Sequence, residues 1–147
     1  MKIPVAVLVG LVSIGCGDDG IAGPEPIALN DLIGNYVATE LTVIVDEETV
    51  DVLDAGGQIT LELTGSGTTT GRLFIPPPLG EDGEGQDADL TGIFFFDPQE
   101  AKVEFDHPAD TFIRDVPFSV ARNETGGIEL HGSGSFEAEV EVVLTRQ

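Results

Sequence analysis

From residue 36 onward, apolar residues recur at every second position in short runs, separated by glycine, proline or acidic clusters. Side chains alternate across a strand with that period, so each run predicts a strand with one buried and one wet face. The clearest run closes the chain, over residues 135–147. Phe136, Ala138, Val140, Val142 and Leu144 fall on one side there, and Glu137, Glu139 and Glu141 on the other. Arg146 shares the apolar side at its far end, where a cation must cover something. The start of the domain is its expected partner.

The remaining runs predict seven more strands. Residues 37–45 place Val37, Leu41, Val43 and Val45 on one face, and residues 58–64 point Ile59, Leu61 and Leu63 inward. Gly65-Ser66-Gly67 predicts a hairpin turn, since glycine tolerates positive φ. A strand over 68–75 ends at Pro76-Pro77-Pro78, because proline cannot donate to a ladder. Residues 88–96 set Leu90, Gly92, Phe94 and Phe96 on one side and Ile93 and Phe95 on the other, which makes a strand apolar on both faces. Three short strands follow, with Val103 and Phe105, then Val116, Phe118 and Val120, then Ile128 and Leu130 inward. Residues 46–57 predict a lid or helical turn over one end, 79–87 an acidic loop and 107–115 a further connection. Short loops join antiparallel neighbours. The fold class is therefore all-β, an eight-stranded antiparallel up-and-down barrel over 31–147, with a two-sheet sandwich as the alternative.

Composition narrows the function. The chain has 147 residues, room for one modest core, and 41% of them are apolar, so it is not disordered throughout. Its formal charge of −21 argues against nucleic acid and anionic headgroups as partners, since both need basic patches. Beyond Lys2, the basic residues are Arg72, Lys102, Arg114, Arg122 and Arg146, and they are scattered. A single cysteine excludes an internal disulfide.

That cysteine sits at the end of a leader. Met1-Lys2 precedes an apolar run over 3–14, too short to span a bilayer, which needs ~20 apolar residues. A positive start, an apolar run and a small residue at the end predict a secretory signal over 1–15. Ser13-Ile14-Gly15-Cys16 resembles the lipobox of bacterial lipoproteins, with Ser13 where that pattern has Leu. An ordinary cleaved signal and a retained anchor are the alternatives. The resemblance implies that Cys16 becomes the mature N-terminus and carries acyl chains, palmitate among them. The protein would then be lipid-anchored in the bacterial cell envelope. Gly17 after the cysteine favours the outer membrane in a Gram-negative host. Residues 16–30 (Cys16, then GDDGIAGPEPIALN) lack periodicity and read as a tether, with a coil span of roughly 20 Å.

Leu32-Ile33-Gly34-Asn35-Tyr36 resembles the Gly-x-Trp opening of lipocalin-like domains, with Tyr36 in place of Trp. Arg146 matches the basic residue that in that family packs over the aromatic ring, so the resemblance implies a barrel-closing Tyr36–Arg146 pair. The family's middle Thr-Asp-Tyr motif is absent. Tyr36 has the parity opposite to Leu41, which requires a bulge or twist near the start of the strand.

Candidate chemistry is sparse. His107 and His131 read as a turn and a surface histidine, and no cysteine or spaced histidine completes a metal set. Glu81, Asp82, Glu84, Asp87 and Asp89 match no calcium-loop spacing. Neither Ser66 nor Ser133 makes a nucleophile elbow, and no glycine-rich loop opens a helix to cradle phosphate. No cofactor and no catalytic residue are expected, and the chain is expected to be monomeric. The expected function is a lipid-anchored binding module holding a small hydrophobic ligand between Leu61, Leu63, Leu90, Phe94, Phe118, Leu130 and Val140. The alternative is an envelope structural or interaction domain in which the same residues pack the barrel shut.

Overall fold

The computed structural model describes residues 23, 25–80, 83–135 and 138–147. Alternation is realised most cleanly in β3 (Gln58–Leu63), where Ile59, Leu61 and Leu63 are buried and Gln58, Thr60 and Glu62 are exposed. β4 (Thr68–Ile75) follows through the Thr64–Gly67 turn and ends where Pro76 begins. The ladder continues through β6 (Gly92–Asp97), β7 (Lys102–Asp106), β8 (Phe118–Arg122), β9 (Ile128–Ser135) and β10 (Glu139–Arg146). β10 then pairs with β1 (Gly34–Val45), and β1 with β3, so eight antiparallel strands close a ring. Closure satisfies the edges that an open sheet would leave bare. The sandwich alternative is not adopted.

Register confirms how the ends meet. Tyr36 lies opposite Arg146, and Val43 opposite Val140. Pairing shifts between Ala38 and Glu40, which is the bulge that the parity of Tyr36 required. Tyr36 and Leu41 therefore both reach the interior, at 1% and 0% exposure. The bulge also corrects the expected face of β1: Val37 lies on its far side from Leu41 and is only half-buried. In β10, Glu139 and Glu141 are exposed while Val140, Val142 and Leu144 are buried; Phe136 and Glu137 lie outside the described residues.

Two further strands stand outside the ring. The connection over 46–57 contains β2 (Glu48–Asp51), which hairpins onto the second half of β1. Val52 then turns fully into the core. The expected single strand over 88–96 is two, β5 (Gln86–Asp89) on the end of β4 and β6 on its beginning. The chain breaks at Leu90 and Thr91, where Asp89 Oδ1 accepts the Thr91 N–H at 2.7 Å. This local bond competes with the ladder and lets Leu90 drop into the interior.

One-turn helices cover both ends. α1 (Leu29–Leu32) precedes β1 and buries Leu32. Asp31 accepts the Ala28 N–H at 2.9 Å, which satisfies one of the free donors at the helix start. α2 (Phe112–Asp115) connects β7 to β8 at the opposite end and buries Ile113, with Val116 following at 2% exposure. Between the helices, the inward side chains of the ring form one apolar cluster. Glycine makes room for it at Gly132, where a Cβ would lie 2.6 Å from the ring of Phe118.

Candidate functional site

Each residue expected to line a ligand cavity faces inward. Leu61, Leu63, Leu90, Phe94, Phe118, Leu130 and Val140 range from 0% to 9% exposed and belong to the single apolar cluster. The two surface depressions described below are lined by none of the seven. Packed against one another, these side chains do what core residues do, which is to exclude water and gain dispersion contacts.

The barrel-closing pair meets in another way than expected. Tyr36 is buried, and its hydroxyl donates to Leu32 O at 2.8 Å. Burial pushes its phenol up to about 12, with the positive charge of Arg146 opposing the shift. The guanidinium of Arg146 donates to Asp31 O at 2.8 Å instead of lying over the ring. Among the described residues no cation sits on an aromatic face. Arg122 on β8 reaches the Asp31 carboxylate at 3.0 Å. Together with the Ala28 N–H, the largest influence, these cations hold that carboxyl below the usual range. The two arginines and the tyrosine fasten α1 across the end of the barrel.

His107 is the polar residue that sequence reasoning misplaced. It directly follows the last residue of β7, at the strand end as expected, but it is 1% exposed rather than a surface turn residue. Its ring stacks on Phe105 with centroids 5.6 Å apart, and Phe105 in turn meets Phe118 edge-on at 5.3 Å. Thr69, buried on β4, donates its hydroxyl hydrogen to Leu90 O at 2.8 Å. A hydroxyl has one hydrogen and a carbonyl can only accept, so the 3.0 Å contact between Thr69 Oγ1 and His107 Nε2 runs from ring to hydroxyl. This assigns the Nε2–H tautomer. Nδ1 is then an acceptor without a partner among the described residues, as is the buried Thr111 Oγ1. Burial lowers the His107 pKa, and Asp106 and Asp89 only partly offset it. His131 is the surface histidine expected, 3.2 Å from Glu129.

Among its described residues, the acidic loop does not gather its carboxylates. Asp87 is gripped by Arg72, whose hydrogen bonds and charge hold it below the usual range, and Asp89 caps Thr91. Glu81 and Asp82 lie outside the described residues, and so does Cys16. Among the described residues, no three His, Cys, Asp or Glu side chains cluster as a metal would need.

What stands out is on the outside. Ile93 and Phe95 project from the outer face of β6 at 41% and 59% exposure. A depression of about 190 Å³ lies on one side of Phe95, against Asp97, Glu100, Lys102 and Glu104. A second, of about 430 Å³, lies on the other, against Glu104, Asp106, Arg114, Asp115 and Pro117. The second occupies the opening where the β7–β8 ladder ends. That ladder has only the pairs Lys102–Ser119 and Val103–Phe118, and Pro117 has no N–H with which to extend it. The parity of residues 88–96 pointed to this two-sided strand.

The fold and surface define a closed antiparallel β-barrel with an acidic exterior. The chain matches no protein-family model and no curated protein.

Proposed function

We propose that this chain is a non-catalytic interaction domain, held at a bacterial cell envelope by lipid on Cys16 and acting through the outer surface of its barrel. The observation that carries the reading is the interior. The seven side chains that a ligand would have to touch are at most 9% exposed and packed into one cluster, under a helix at each end. A ligand-holding barrel of this width needs a mouth and a lined hollow of several hundred Å³. The packed alternative is therefore favoured over the hydrophobic-ligand reading. The anchor is supported by the leader over 1–15, the lone Cys16 at its end and the unpatterned stretch between it and α1. Two or more acyl chains at ~0.8 kcal/mol per buried methylene make such an anchor stable.

Two measurements test the two halves. Intact mass of the mature chain from its host should show a diacylated or triacylated Cys16, and Cys16→Ser should move the protein from the membrane to the soluble fraction. An unmodified Cys16 removes the anchor. A fluorescent fatty-acid probe should gain no saturable signal with the protein; uptake at one site per chain, lost in Leu130→Trp, removes the packed-barrel reading.

A further inference from the structure

We propose that the outer face of the β6–β7 hairpin, centred on Phe95, docks an extended cationic segment of a partner protein in which Lys or Arg alternates with apolar residues. The inference rests on the interaction-domain reading and supplies the chemistry of the partner. Large exposed apolar side chains are few among the described residues: Ile93, Phe95 and, at the barrel end, Leu29. Two of them stand one pleat apart on the same face. Across the ladder, Ile93 pairs with Asp106 and Phe95 with Glu104. The face is a checkerboard of oil and negative charge.

The cations present are already engaged. Lys102 Nζ lies 2.5 Å from Glu100, and Arg114 holds Asp110 at 2.5 Å and Asp115 at 3.0 Å. Glu104 and Asp106, the two acids directly beside the apolar pair, make no side-chain hydrogen bond or ion pair among the described residues. Glu104 edges both depressions, so each hollow beside Phe95 has a carboxylate without an ion-pair partner at its rim, with Lys102 acting on it only at longer range. An apolar side chain fits against Phe95 and Ile93 while a flanking ammonium or guanidinium meets Glu104 or Asp106.

Charge selects this occupant over two others. A second copy would set the same acids against one another on a chain of net charge −21. An anionic bilayer surface would be repelled likewise. A cationic segment is drawn in by the same field and gains most where an aromatic lies between carboxylates.

The test uses the full chain, ¹⁵N-labelled and held in zwitterionic nanodiscs, titrated with a short capped peptide alternating Lys and Leu at low salt. Amide shifts should localise to residues 93–97 and 102–106. Affinity should fall roughly tenfold in Phe95→Ser, a few-fold in Glu104→Gln, and further with added salt. A Glu–Leu peptide should not bind. Shifts mapping elsewhere, equal affinity for Phe95→Ser, equal affinity for a Lys–Ser peptide, or no binding at millimolar peptide each overturns the docking proposal. Uptake of a fatty-acid probe inside the barrel, unaffected by Phe95→Ser, instead overturns the interaction-domain reading beneath it.

Discussion

Thr69→Val is the sharpest test of the buried polar pair. Valine keeps the shape and the β-branch and deletes only the oxygen. Thr69 is 1% exposed, and its hydroxyl links Leu90 O on one side to His107 Nε2–H on the other. The substitution leaves a buried acceptor and a buried donor unmatched, at about 1–3 kcal/mol each. The cost should be about 2–6 kcal/mol, a large part of the ~5–15 kcal/mol that holds a domain of this size. Thr69→Ser keeps both bonds and should cost about 1 kcal/mol for the lost methyl. Adding His107→Phe to Thr69→Val removes the stranded donor and should recover about 1–3 kcal/mol, a non-additivity that a double-mutant cycle reads directly. The chain has no tryptophan and one tyrosine, so equilibrium urea unfolding is best followed by far-UV circular dichroism. A Thr69→Val midpoint within error of the parent, or a double variant no better than the single, would refute both the bond assignment and the tautomer.

Other expectations follow from the same geometry. His107 has a lowered pKa because it is buried, so the unfolded chain takes up its proton first. Stability should be full above ~6.5, the ordinary histidine value, and decline as the pH drops below it, and His107→Phe should flatten that arm of the urea-midpoint profile. A second loss should appear in stronger acid, as pH falls through the depressed values of Asp31, Asp87 and Asp89; a profile in which stability rises on acidification contradicts both arms. Gly132→Ala would press a Cβ on the Phe118 ring and should cost about 1–3 kcal/mol in thermal unfolding, eased by Phe118→Leu; a neutral Gly132→Ala would show that the ring moves freely. Arg146→Met should speed hydrogen exchange in Leu29–Leu32 with a cost of about 1 kcal/mol, and unchanged exchange there would detach Arg146 from the fastening of α1.

Much of the barrel was legible because its punctuation is chemical. β4 runs from Thr68 to Ile75 because glycines turn the chain before it and prolines stop it after. The bulge in β1 was legible because Tyr36 and Leu41 cannot both face inward on an unbroken pleat. β2 and β5 were not legible as strands. Their sequences, ETVD and QDAD, carry almost no apolar alternation, and main-chain bonds to neighbours place them. The burial of His107 was hidden for another reason: its partner Thr69 is 38 positions away, and only the closed topology brings the two together. The room at the centre of the barrel was hidden on a third ground. Parity says which side chains face the axis of the barrel, whereas the room left among them depends on every volume packed there at once.

The fastening of α1 has a mechanical consequence. Tyr36 on β1, Arg122 on β8 and Arg146 on β10 all hold the short helix through which the N-terminal tail enters the fold. A tug along that tail is divided among three strands and strains their ladders in shear. In an optical trap, Arg122→Met together with Arg146→Met should lower the force at which a pull on the tail detaches α1, the element on which a tether would act.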